Sequence, residues 1–247
     1  MVRNFKLIIE YDGSRYHGWQ RQKGDRSIQQ EIESALQTIT AAKVTLIGSG
    51  RTDAGVHALG QVANFKCDTR LEPAALMNAL NSLLANDIVI KACETVSASF
   101  HARYDVKSKV YQYRILNRTL PVAIGRQYAW FIRKPLNPEA MRAAITHIIG
   151  RHDFKAFEGT GSARQHTIRH VFSAQLTGPE EGFLIFQFEA DGFLRFMVRN
   201  MVGTLVDVGL EKLSPDDFKR ILDSKDRSQA SATAPPHGLT LIKVNYA

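Results

Sequence analysis

Cysteine is scarce: the 247 residues hold two, Cys67 and Cys93, with 25 residues between them. No Cys-x-x-Cys pair and no Cys/His spacing of the zinc-binding kind occurs, which leaves neither a zinc site nor a disulfide framework. Both thiols are expected to be small buried hydrophobes in a reducing compartment. Long apolar runs are missing too. The N-terminal MVRNF passes straight into a strand pattern, with no signal-peptide core, and no stretch reaches the roughly 20 residues that span a bilayer. The expectation is a cytoplasmic protein. His166 and His170 are four apart, but their β-branched neighbours suggest a strand, where that separation is roughly 13 Å and too wide for one metal. No metal and no cofactor is expected.

What is present is an ordinary globular balance, 44% hydrophobic and 23% charged, so the chain should fold throughout. Its net charge of +8 is uneven. Residues 1–105 carry 12 basic and 11 acidic side chains, residues 106–247 carry 20 and 13. Between Asp105 and Glu139 no acid interrupts Lys107, Lys109, Arg114, Arg118, Arg126, Arg133 and Lys134. Tyr111, Tyr113, Tyr128, Trp130 and Phe131 are interleaved with them. Basic groups displace counterions from phosphates and rings offer faces to unpaired bases, so such a tract suits RNA. A solvated charged face on alternate strand positions accounts for it equally well.

The periodicity predicts a strand over 5–11 closing at Asp12-Gly13-Ser14. A helix follows, opened by a capping box of Ser27 and Gln30, with Ile28, Ile32, Ala35, Leu36 and Ile39 on one face. Strands at 44–47 and 62–65 flank a glycine-containing loop. Pro73 opens a helix with the stripe Leu76, Met77, Leu80, Leu83 and Leu84, and 87–93 supplies a fourth strand. The second half mixes strands at 110–116, 168–176, 183–189 and 239–246 with helices from Asn137, over 193–208, and from Ser214. Two such strand-helix-strand-strand-helix-strand halves, 1–105 and 106–247, predict an α+β fold. They read as two ferredoxin-like halves joined into a mixed, mostly antiparallel sheet with helices on one side.

The informative segment is Gly48-Ser49-Gly50-Arg51-Thr52-Asp53-Ala54-Gly55-Val56-His57. So many glycines and polar groups are costly to order unless something closely approaches the backbone. It fails both phosphate-loop patterns, because Asp53 stands where a glycine is needed and no Gly-Lys pair occurs. By residue type alone Asp53 is either a turn-capping aspartate or a catalytic one. His57 is a candidate for phosphate contact or for packing against its own loop.

The run GSGRTDAGVHALGQVANF at 48–65 closely resembles the signature of the tRNA pseudouridine synthases that modify the anticodon stem-loop. So do EYDGSRYHGWQRQ at 10–22, FHAR at 100–103, Tyr111 and Tyr113, MVRNMVG at 197–203 and APPHGLTL at 234–241, in the expected order. The resemblance implies isomerisation of uridines at tRNA positions 38–40 to pseudouridine, without cofactor, by a homodimer that binds tRNA. It implies Asp53 as the catalytic carboxylate, Tyr111 against the target uracil, Arg51 in the space a flipped nucleotide vacates, and Arg199 paired with Asp53. Ala85 and Val106 depart from the family pattern, which puts local loop geometry rather than chemistry in question. The isomerisation breaks the C1′–N1 bond, forms C1′–C5 and removes the C5 proton. A carboxylate can attack sugar or base, or assist loss of a sugar proton. The target must first leave its stack. A non-catalytic RNA-binding protein or RNA chaperone of the same topology is the competing expectation, although an acid facing RNA has no use in one.

Overall fold

A computed structural model of the chain describes residues 2–161 and 166–246. Two units make it up: the residues through Lys107 together with those from Thr240 onward, and Ser108–Leu239. The first carries β1 (Arg3–Tyr11), α1 (Ile28–Thr40), β2 (Ile47–Gly48), β3 (His57–Cys67), α2 (Pro73–Leu83) and β4 (Ile88–Val96). The second carries β5 (Ser108–Asn117), β6 (Trp130–Ile132), α3 (Pro138–Ile145), β7 (Gly150–Asp153), β8 (Ile168–Glu180), β9 (Phe183–Ala190), α4 (Met197–Gly209) and α5 (Pro215–Ser224). The last strand, β10 (Leu239–Asn245), pairs in parallel with β3 at Thr240 and Leu241. This corrects the division at 105: from Thr240 on, the chain belongs with the first unit, because its strand docks beside His57 and Ala58.

In the first unit the strands run β4-β1-β3-β10, with β1 antiparallel to both neighbours and β2 on β3. Along β1 the alternation predicted from sequence places Phe5, Leu7, Ile9 and Tyr11 in the core, and Phe5 stacks on Phe65 of β3 at 5.4 Å. The second unit orders its strands β5-β9-β8-β7, all antiparallel, with the short β6 beside β5. Among the described residues no helix is long and apolar enough to cross a membrane.

Several local expectations differ from what forms. The segment 44–46 is not a strand: the Leu46 N–H donates to the Glu33 carboxylate (2.9 Å), so a helix side chain takes the place of a ladder partner. Of the α2 stripe only Leu76 and Leu80 are fully buried, and Leu83 is exposed. Helix α4 begins four residues later than expected because Phe196 sits in the left-handed region at φ 59°, which a helix cannot pass through. β6 and β7 are too short for periodicity to register. The Gly159-Thr160-Gly161-Ser162 stretch, whose small residues suit a loop near the substrate, lies partly outside the described residues, at Ser162.

The Ser27 capping box does not form. The Ile28 and Gln29 N–H groups donate to the carbonyls of Gly18 and Trp19 (3.2 and 3.0 Å), and the Ser27 Oγ is buried without a hydrogen-bond partner. By contrast Ser214 and Asp217 complete a reciprocal box at the exposed start of α5. A working N-cap serine is worth about 1 kcal/mol, whereas an unsatisfied buried hydroxyl stabilises nothing. Ser27→Ala is therefore expected to leave the melting temperature unchanged or raise it. Ser214→Ala should lower stability by about 1 kcal/mol, both read by thermal denaturation.

Candidate active site

The loop between β2 and β3 is built by a turn and held by a clamp. Val56 N–H donates to Asp53 O (3.1 Å), closing the turn Asp53-Ala54-Gly55-Val56, with Gly55 at φ 77° in the third place. That is the place where a type II turn needs a residue tolerant of positive φ. The turn leaves Arg51 exposed and Asp53 half-buried, while Thr52 and Val56 on either side point into the core.

The clamp comes from residues 11–20. Trp19 N–H donates to Thr52 O (3.1 Å), Gly55 N–H to Tyr16 O (3.3 Å), and Tyr11 Oη shares a 2.8 Å hydrogen bond with Thr52 Oγ1. Arg51 Nε donates to Gln20 Oε1 (2.9 Å). From below, Ser49 Oγ donates to Gln61 Oε1 (2.6 Å) and Gln61 Nε2 to Gly50 O (3.1 Å). Tyr16 in turn donates to Asp87 Oδ1 (2.5 Å), and Asp12 N–H to Asp87 O (3.0 Å), which ties the clamp to the start of β4. The turn before β4 closes normally with alanine at 85, Ile88 N–H donating to Ala85 O (2.9 Å). Burial raises the Tyr11 phenol well above its ordinary value. Burial first, then the Asp87 carboxylate, raises that of Tyr16, so both remain neutral donors at physiological pH. Each such bond contributes about 1 kcal/mol net, but losing one buried partner costs up to about 3 kcal/mol, so the set rigidifies the loop more than it stabilises the unit.

His57 is 4% exposed. Its Nδ1 accepts from Gly13 N–H (3.1 Å), and Asp12 Oδ1 lies 3.1 Å from the same nitrogen. The side chain thus serves the clamp at the entry to β3. The clamp residues Tyr16, Trp19 and Gln20 are the contributors that residue chemistry alone missed; their signal was the density of aromatic and glycine residues in 10–22.

In the second unit, Tyr111 on β5 is 8% exposed and packs edge-on against Phe193 at 5.1 Å. Two residues on, Tyr113 is fully buried and donates to Pro235 O (2.7 Å). Burial raises its phenol, and the charge of Arg199 opposes that shift. Arg199 on α4 donates through Nε to Ala234 O (2.8 Å), while Ala234 N–H donates to Arg199 O (3.1 Å). The APP segment is thus a strap holding both Arg199 and Tyr113. Asn200 anchors the strap's approach, accepting from Thr233 Oγ1 (2.7 Å) and Arg227 (3.2 Å) and donating to Phe157 O (2.8 Å). Phe196 carries the guanidinium groups of Arg195 and Arg199 against its ring, at 4.7 and 4.9 Å. Its left-handed backbone is a strained feature that sequence did not reveal.

The basic tract is corrected in part. Tyr111 and Tyr113 on β5 point into the core, whereas Arg118, Arg126, Arg133 and Lys134, all outside the strands, are exposed together with the Tyr128 ring. Arg114 lies over the Phe183 ring at 4.7 Å. His166 and His170 line one cleft with Arg151, Ile168, Arg169 and Asp191. Among the described residues no group of three His, Cys, Asp or Glu side chains could hold a metal ion. Cys67 is buried and Cys93 half-buried, the latter with its thiol pushed up to about 11 by burial.

The sequence pattern described as "tRNA pseudouridine synthase" matches residues 7–105 and 144–247. A protein of Thermoanaerobacter pseudethanolicus named "tRNA pseudouridine synthase A" is 48% identical over 99% of this chain and 100% of its own length. Proteins of the same name from Acetivibrio thermocellus and Clostridium acetobutylicum are each 44% identical with the same coverage of both chains.

Proposed function

The chain belongs to the tRNA pseudouridine synthase family, and on that premise we propose that it isomerises uridine to pseudouridine in transfer RNA with the Asp53 carboxylate as the reacting group. The observation that supports Asp53 most is the clamp: residues 11–20 contribute five hydrogen bonds, and Gln61 of β3 two more, to fixing one short turn. Turn-capping alone needs no such support. A reacting carboxylate does, because an error of about 1 Å in its placement costs roughly 10²-fold in rate.

The reaction is balanced within the substrate. The C1′–N1 bond breaks, the uracil turns, the C1′–C5 bond forms, and the proton lost from C5 is matched by one gained at N1. Asp53 acts as an anion in this scheme, toward the sugar or the base. Arg51, exposed and steadied by Gln20, fills the stack left by the flipped nucleotide. Tyr111 is assigned to the uracil and Arg199 to substrate binding, each held from behind by Phe193 or the APP strap. His57 is assigned to positioning the turn. The finer parts of the proposal are a homodimer, a cytoplasmic setting and uridines 38–40 of the anticodon stem-loop as targets. They rest on the motif resemblance.

The test is tritium release from tRNA labelled at uridine C5, with carbodiimide mapping of the product. Release accompanied by modification in the anticodon arm is the expected result. Binding of the tRNA without release would favour the non-catalytic RNA-binding alternative, and modification elsewhere would overturn the assigned targets.

A further inference from the structure

The FHAR segment after β4 has no part in the clamp or the strap, yet it builds an unusual surface feature of the first unit. Ala102 at its centre is buried and fixed at both backbone groups: its N–H donates to Asn64 Oδ1 (2.9 Å) and its carbonyl accepts from Tyr246 Oη (2.6 Å). Around this anchor the chain makes a tight turn. The N–H groups of Arg103 and Tyr104 both donate to His101 Nδ1 (3.1 and 3.3 Å), and His101 N–H donates to the Asp105 carboxylate (2.9 Å). The two bonds to Nδ1 orient the imidazole, and the Tyr104 ring lies on it at 4.2 Å with 29° between planes. The Arg103 guanidinium lies 5.8 Å from the centroid of the same ring.

Tyr104 nevertheless remains 75% exposed. A ring so placed adds little to folding, since it removes little apolar surface from water. The turn instead holds a flat aromatic face outward beside a guanidinium, at low cost in freedom on binding because the ring is already fixed. Rings accept unpaired bases by stacking, and a neighbouring arginine takes the adjoining phosphate.

We propose that His101, Arg103 and Tyr104 form a stacking platform for an unpaired nucleobase of the RNA substrate, separate from the Asp53 turn and used for binding rather than chemistry. The platform rests on the assignment of an RNA substrate made above. Its test uses Tyr104→Ala and Tyr104→Trp in the full chain with an unmodified tRNA transcript. Affinity is measured by filter binding, turnover by tritium release, and oligomeric state by sedimentation velocity. Tyr104→Ala is expected to raise Kd and KM by about tenfold, within the roughly 5- to 150-fold span of one base stack, with kcat unchanged. Tyr104→Trp should restore both and acquire tryptophan quenching when the transcript is added. An unchanged Kd in Tyr104→Ala, failure of Tyr104→Trp to restore it, or a loss confined to kcat would each overturn the platform. A change in sedimentation with no RNA present would instead mark the face as an interface between copies, also against it. If the wild type binds the transcript but forms no pseudouridine, the isomerase assignment fails, while the platform is still decided by the binding data.

Discussion

Asp53→Asn is expected to lower turnover by about 10³-fold or more while tRNA still binds. The substitution keeps the size of the side chain and does not touch the backbone bond that closes the turn, Val56 N–H to Asp53 O, or the clamp contacts at Thr52, Gly55 and Arg51. What it removes is the negative charge. If that charge attacks carbon or takes a proton, an amide at the same place has no comparable nucleophilicity or basicity. Binding is expected to hold or tighten, because a carboxylate repels the phosphate backbone at short range. Tritium release and filter binding on the same transcript separate the two effects. Turnover within tenfold of the wild type would remove Asp53 from the chemistry and leave the loop an RNA-placing element.

Gly18→Ala is expected to cost about 10²-fold in kcat and 1–3 kcal/mol in stability, although position 18 carries no reactive group. Gly18 sits at φ 91°, where a side chain is strained, and a Cβ there would stand 2.5 Å from Thr52 O and 3.0 Å from Asp53 C. Those atoms belong to the backbone of the turn, so the collision is relieved only by moving the turn or the clamp. Either movement displaces Asp53. Gly24 provides the control, with nearly the same backbone at φ 89° and nothing within 4 Å of an added Cβ. Gly24→Ala should show the backbone strain alone, a small loss of stability with normal kcat. Melting curves and turnover for both variants check this, and equal behaviour of the two would refute the account of the clamp.

Where burial pattern and chemistry are local, sequence was sufficient. The alternation of Phe5, Leu7, Ile9 and Tyr11 gave β1, the pair Ser214 and Asp217 gave the start of α5, and Asn137 with Pro138 gave the start of α3, its side chain accepting from Ala140 N–H as an N-cap should. The density of glycine, arginine and aspartate in 48–57 marked the turn that the clamp fixes, and the roles proposed for Asp53 and Arg51 come from the resemblance. These features depend on neighbours within a few residues, whose geometry the backbone fixes.

Other features were decided by groups far away in the chain. Ser27 has the same capping signature as Ser214, but the carbonyls of Gly18 and Trp19 reach its helix first, because the clamp brings them there. The aromatic residues of the basic tract read as stacking faces, but strand register turned Tyr111 and Tyr113 inward while Tyr128 stayed exposed, and a more exposed ring is Tyr104, directly after a motif with no evident task. The last strand lies last in sequence but beside β3 in space. Residue types and short spacings determined which segments fold locally and which loop holds the acid. The tertiary structure alone decided which hydrogen-bonding groups compete successfully and which rings face water, because both depend on partners beyond the reach of any helical or strand spacing.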